Sequence, residues 1–148
     1  VSTRVYVPVT ATGLAALVAD GRLAGPLRAH AVTPALAEAW AAAGGGSDEE
    51  ELELVALEAA ADASWHARGP ADPPRRHVVA ADVPAVEGLL TNGVDPDDPS
   101  LVEVTADIPW KRIASAHVDT EDRTAGPDGG APDDALAWFA TQEIRDLL

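Results

Sequence analysis

The clearest pattern near the start of the chain is an alternation. From Thr3 to Val9, Val5, Val7 and Val9 fall on one side and Arg4, Tyr6 and Pro8 on the other, which predicts a half-buried strand. Leu14, Leu17 and Val18 then recur at helical spacing, with Thr10 or Thr12 as the cap and Gly21 as a left-handed stop. Ala29 to Val32 predicts a very short strand. Thr33-Pro34 is a helix start, a hydroxyl at the cap and a proline in the first turn, and Leu36 and Trp40 follow at i,i+4. Gly44-Gly45-Gly46 ends that helix and makes a flexible link.

The best-defined element comes next. Ser47 caps it, Asp48, Glu49, Glu50 and Glu51 load its first turn, and it should run to about Ala67 before Gly69-Pro70. It carries two apolar stripes on opposite sides: Leu52, Val55, Ala56, Ala59 and Ala63 on one, Leu54, Leu57, Ala61 and Trp65 on the other. One stripe must face the sheet. The other needs cover from the two shorter helices or from another chain, so Leu54, Leu57, Ala61 and Trp65 are the interface candidates, with Trp65 expected to stand exposed.

Arg76 to Val83 is apolar on both faces and predicts a central strand, with Arg75-Arg76-His77 capping its entrance. Glu87 to Ser100 is weakly patterned loop, Leu101 to Ile108 alternates as a strand, Pro109 to Arg112 turns the chain, and Ile113 to Asp119 is a further strand. Residues 120–134 are rich in Gly, Pro and acid and predict a mobile acidic loop. Ala135 to Leu148 fits either a helix stripe or a strand; a strand with a short terminal turn would complete the pairing of Ile113–Asp119. The expected architecture is therefore mixed α/β of the α+β kind, one domain over residues 1–148, with a single sheet of four to five strands and three helices between the first and second long strands.

Composition narrows the function. Asp and Glu number 25 against 10 Lys and Arg, a formal net charge of -15, which repels phosphate backbones and anionic membranes; neither nucleic acid nor membrane is an expected partner. The chain has no cysteine, which removes disulfides, thiolate metal sites and cysteine nucleophiles. No charged stretch followed by an apolar one opens the sequence, so cytoplasmic residence is the expectation.

Each candidate site has a plainer reading beside it. Ser115, His117 and Asp119 share one face of a strand, but a triad needs its His between the other two and its nucleophile on a sharp turn, so a solvated strand face is the simpler account. No histidine pair has metal-binding spacing and no metal is assigned, although His117, Asp119 and Glu143 could assemble a site through space. Prolines interrupt the calcium-loop mimic at Asp95, Asp97 and Asp98. No phosphate-binding glycine motif exists, so no cofactor is expected. Tyr6, Trp110, Trp138, Gln142 and Glu143 join His117 and Asp119 as ligand-binding candidates, because aromatics beside acids suit a cationic or polar ligand; core packing is the plainer reading of Tyr6 and Trp138.

Several segments together, Arg4-Val5-Tyr6-Val7-Pro8-Val9-Thr10, Ala29 to Leu36, Val79 to Pro84, His117-Val118-Asp119 and Trp138 to Ile144, resemble a family of small actinobacterial proteins that is a domain of unknown function. The resemblance covers nearly the whole chain and implies an N-terminal strand, a helical middle and C-terminal strands. It brings no activity, cofactor or catalytic residue. Two functions remain: a non-enzymatic interaction or regulatory protein acting through a homodimer or a protein partner, or a small-molecule-binding protein or minor hydrolase with a pocket at the C-terminal strand face. An enzyme is the less favoured of the two.

Overall fold

The computed structural model describes residues 2–148. Its centre is the pairing of β1 (Ser2–Val9) with β4 (His77–Pro84), antiparallel in continuous register from Ser2 opposite Pro84 to Val9 opposite His77. The other strands are β2 (Arg22–Leu23), β3 (Leu27–His30), β5 (Leu90–Asn92), β6 (Leu101–Val104), β7 (Ile108–Pro109), β8 (Ile113–Val118) and β9 (Ala137–Ala140). Seven of the strands form one antiparallel sheet in the order β5-β6-β3-β1-β4-β8-β9, and β2 and β7 form a separate ribbon.

The expectation of four to five strands is corrected to seven in the main sheet. The three-residue β5 is too short to display an alternation and falls where loop was expected, and the short β3 and β9 add to β1, β4, β6 and β8. The apparently single strand of residues 101–108 is also broken: β6 lies in the main sheet, and after residues 105–107 the chain leaves it to form β7 in the ribbon. The C-terminal segment is strand β9 followed by a 3-10 turn over Thr141–Leu147, the preferred of its two readings.

Three α-helices, α1 (Ala11–Asp20), α2 (Pro34–Ala42) and α3 (Glu49–His66), lie between β1 and β4, as the sequence predicts. Thr10 caps α1 by accepting from the Gly13 N–H at 3.1 Å, and Gly21 closes it at φ 70° with its N–H on the Leu17 carbonyl. Thr33 caps α2, accepting from the Leu36 N–H at 3.0 Å. Asp48 caps α3, one residue later than the expected Ser47, and leaves three glutamates in the first turn.

Each face of the sheet has its own core. On one, Val5, Val7 and Val79 pack with Val102, α1 (Leu14, Leu17) and Ile144 of the C-terminal turn. On the other, Tyr6, Val78 and Ala80 pack against Leu36 of α2 and Ala56, Ala60 and Ala61 of α3. Because α1 lies on the opposite side of the sheet, it cannot cover α3, contrary to expectation.

The face that α3 buries is also shifted from the predicted one. Its buried line is Leu52, Ala56, Ala60 and Ser64, at i,i+4 spacing, with Ala61 and Trp65 beside it. Alanines at the contact let the helix approach the strands closely. Ser64 hides the stripe from an apolar count, yet it is fully buried: its hydroxyl donates to the Val9 carbonyl at 2.6 Å and accepts from the His77 N–H at 2.8 Å, tying together the ends of β1 and β4. Trp65 is buried too, under the Arg68 guanidinium at 3.7 Å, which corrects the expected exposed tryptophan.

Candidate functional site

The register of β4 and β8 sets His77 opposite Val118, so Arg76 and Asp119 face each other one step beyond the ladder. Both are buried. The Asp119 carboxylate accepts from the Arg76 backbone N–H (2.8 Å), Nε (2.9 Å) and Nη2 (2.8 Å), and from Arg123 Nε at 3.2 Å. Burial alone would push this carboxyl up; the hydrogen bonds from Arg76 outweigh it, with help from Arg123, and hold it below the usual carboxylate range. Arg76 also donates to the carbonyls of Pro132 (2.9 Å) and Asp134 (2.6 Å). One buried ion pair thereby fixes the chain just ahead of β9 in place.

That segment and α3 are the two walls of a groove of about 640 Å³. Leu54, Leu57 and Ala61 come from the helix and Leu136 from the opposite wall. Leu57 and Leu136 pack on the α3-side core, whereas Leu54 is 53 % exposed. The rim is acidic: Glu58 and Asp62 on α3, Asp133 and Asp134 across from them. Asp62 sits 3.7 Å from His66 and Asp134 3.7 Å from Arg123, whereas Glu58 and Asp133 have no cationic partner among the described residues. Arg76 lines the groove, but its charge is engaged by Asp119. Beyond Asp62 and Asp133 the groove adjoins a second hollow of about 440 Å³ that also touches Asp128 and Pro127.

The candidates named from sequence divide by position. Leu54, Leu57 and Ala61 line the groove; Trp65 does not. Trp138 is directly opposite His117 in the β8–β9 ladder, two residues after Leu136. His117 meets Tyr6 edge-on at 6.3 Å between ring centres, and Tyr6 belongs to the α3-side core, so these three rings share the groove's side of the sheet. Tyr6 is core, as its plainer reading has it; Trp138 is 61 % exposed, which corrects that reading for the indole. Trp110 is on the other side, against the core that contains Ile144, with Arg145 5.3 Å from its ring centre. Gln142 is exposed, and the Glu143 carboxylate accepts from the Ala140 N–H at 2.9 Å at the start of the terminal turn.

Ser115 Oγ and His117 Nε2 are 3.2 Å apart. Asp119 does not complete a triad with them, since its carboxylate is taken by Arg76 and Arg123, and Ser115 sits within a strand rather than on an exposed turn. Burial lowers the pKa of His117, and Arg4 lowers it further. Burial likewise lowers those of His30 and His77. His30 Nδ1 meets Ser100 Oγ at 2.8 Å, and His77 Nδ1 is the one buried side-chain polar atom without a partner among the described residues. No group of three or more His, Cys, Asp or Glu among the described residues is placed to hold a metal ion, and no helix among them is long and apolar enough to cross a membrane.

A family profile, the family of unknown function DUF6912, matches residues 3–148. The chain belongs to this family. The match spans both walls of the groove, so the groove lies within the matched region. A search of curated proteins finds no match, and neither does a search of solved structures. Sequence reasoning missed Arg76 as a site-building residue; the usable signal was an Arg just before one buried strand and an Asp just after another.

Proposed function

We propose that the chain is a non-enzymatic interaction protein that receives a protein partner in the groove between α3 and residues 131–136. The observation that carries this reading is the open apolar strip of Leu54, Leu57 and Leu136, with the exposed Trp138 indole on the same side of the sheet. Exposed apolar side chains gathered beside a rigid helix are typical of interfaces. The Ser115–His117 pair supports it negatively, because its third group is locked elsewhere. One observation favours a second reading: about 640 Å³ is within the size range of small-molecule pockets.

Affinity capture from the native cytosol tests the proposal, with the wild-type chain compared with Leu54→Asp/Leu57→Asp and mass spectrometry applied to proteins and small molecules. Leu54 is exposed and Leu57 is part-buried against the α3-side core, so circular dichroism checks that the variant folds. Proteins held by the wild type and lost from the variant support the interaction reading. An identical protein set on both refutes it, and a small molecule lost from the variant instead favours the second reading.

A further inference from the structure

The groove is not uniform along its length, and this constrains what can lie in it. One end is apolar, at Leu54, Leu57 and Leu136; the other is acidic, at Asp62 and Asp133, and continues into the hollow that contains Asp128. Leu54 and Asp62 are eight residues apart on α3, about 12 Å along the helix. An extended polypeptide covers that in roughly four residues. Among the described residues that line the groove the one cation is Arg76, which Asp119 neutralises, so the acidic end presents net negative charge. A second copy of this chain would bring its own -15 charge to that end, which disfavours self-association there.

Resting on the interaction reading, we propose that the partner is a basic polypeptide segment in extended conformation, anchored by apolar side chains at the Leu54–Leu57–Leu136 end and carrying lysines or arginines about four residues away, against Asp62 and Asp133. Charge complementarity selects this occupant: a neutral or acidic segment leaves the Glu58 and Asp133 carboxylates without a partner, and a second copy adds to the repulsion.

The probe is a fluorescein-labelled octapeptide with two leucines at one end, glycine-serine between, and four lysines at the other, read by fluorescence anisotropy in low salt. Companion peptides carry glutamates for the lysines or serines for the leucines. Asp62→Lys/Asp133→Lys should weaken binding of the lysine peptide at least tenfold. Glu87→Lys/Asp97→Lys, an equal change of net charge near the opposite sheet edge, should change it less than twofold. The serine peptide should bind several-fold more weakly than the leucine peptide to the wild type, and Leu57→Asp should remove that difference. Circular dichroism checks each fold, and Glu58→Gln/Asp133→Asn replaces the first variant if it does not fold. Equal weakening by the two charge-reversed variants, equal binding of the glutamate peptide, or no binding of the lysine peptide would overturn the proposal. If none of the peptides binds while cytosolic capture still depends on Leu54 and Leu57, the interaction reading stands and the basic class of partner falls.

Discussion

Replacing Asp119 with Asn tests the buried clamp most directly. The side chains of Asp119 and Arg76 are 0 % and 6 % exposed, so water cannot compensate the guanidinium when the carboxylate charge is removed. An Asn at 119 keeps the volume but cannot serve the Arg76 N–H, Nε and Nη2 as a charged double acceptor. Removing one partner of a buried pair costs about 3–5 kcal/mol. With a urea dependence of about 2 kcal/mol per molar, the midpoint should fall by roughly 2 M at pH 7. Arg76→Met/Asp119→Leu should lie closer to the wild type than either single substitution, because it leaves neither charge alone. Proteolysis of residues 120–134 should quicken in Asp119→Asn, since Arg76 also holds the Pro132 and Asp134 carbonyls. The pH dependence has a defined sign. A folded pKa below the unfolded value gives stability that is present above the unfolded value, near 3.8, and is lost as pH falls through the folded one, so the variant should lack that acid limb. A midpoint shift under about 0.5 M, with proteolysis unchanged, would show that the pair does not hold this end of the sheet.

Ser64→Ala should cost about 2–4 kcal/mol in urea denaturation, because the Val9 carbonyl and the His77 N–H both lose a buried partner; a cost below about 0.5 kcal/mol would show that both find other partners. The lowered pKa values of His30, His77 and His117 mean that the unfolded chain binds protons first as pH drops below about 6.5, so stability should decline from pH 7 towards pH 5 in thermal melts, and His30→Asn should make the decline shallower.

Helix ends were legible because each rests on local chemistry: Thr10 with Gly21 and Thr33 with Pro34 lie within a few residues of the groups they serve. The central strands were legible because eight-residue segments give alternation or continuous burial room to show. Strand β5 was not, since three residues between Gly88 and Gly93 look like any turn. For the site, Leu54, Leu57 and Ala61, named from the sequence, line the α3 wall of the groove, but the opposite wall depends on Arg76 reaching residues 56 positions further on. No local pattern encodes that reach. Ser64 escaped for a related reason: its polarity marks it as surface until the two strand ends it bridges are known.

The β1–β4 pairing also bears on how the chain reaches its structure. The two central strands are neighbours in space, yet all three α-helices are made between them, and β3 gains its outer neighbour β6 only after a further excursion. Along the sheet only β5–β6 is a short hairpin; every other junction closes a long loop before any contact repays the lost entropy. A nascent chain leaving the ribosome therefore carries β1 with one edge bare, the edge away from β3, until β4 emerges about seventy residues later. Such non-local topology belongs to the slower, millisecond-to-second class of folders. Pro8 within β1, with no N–H to offer a passing strand, and the net charge of -15, which adds repulsion between copies, are suited to protecting that interval against aggregation.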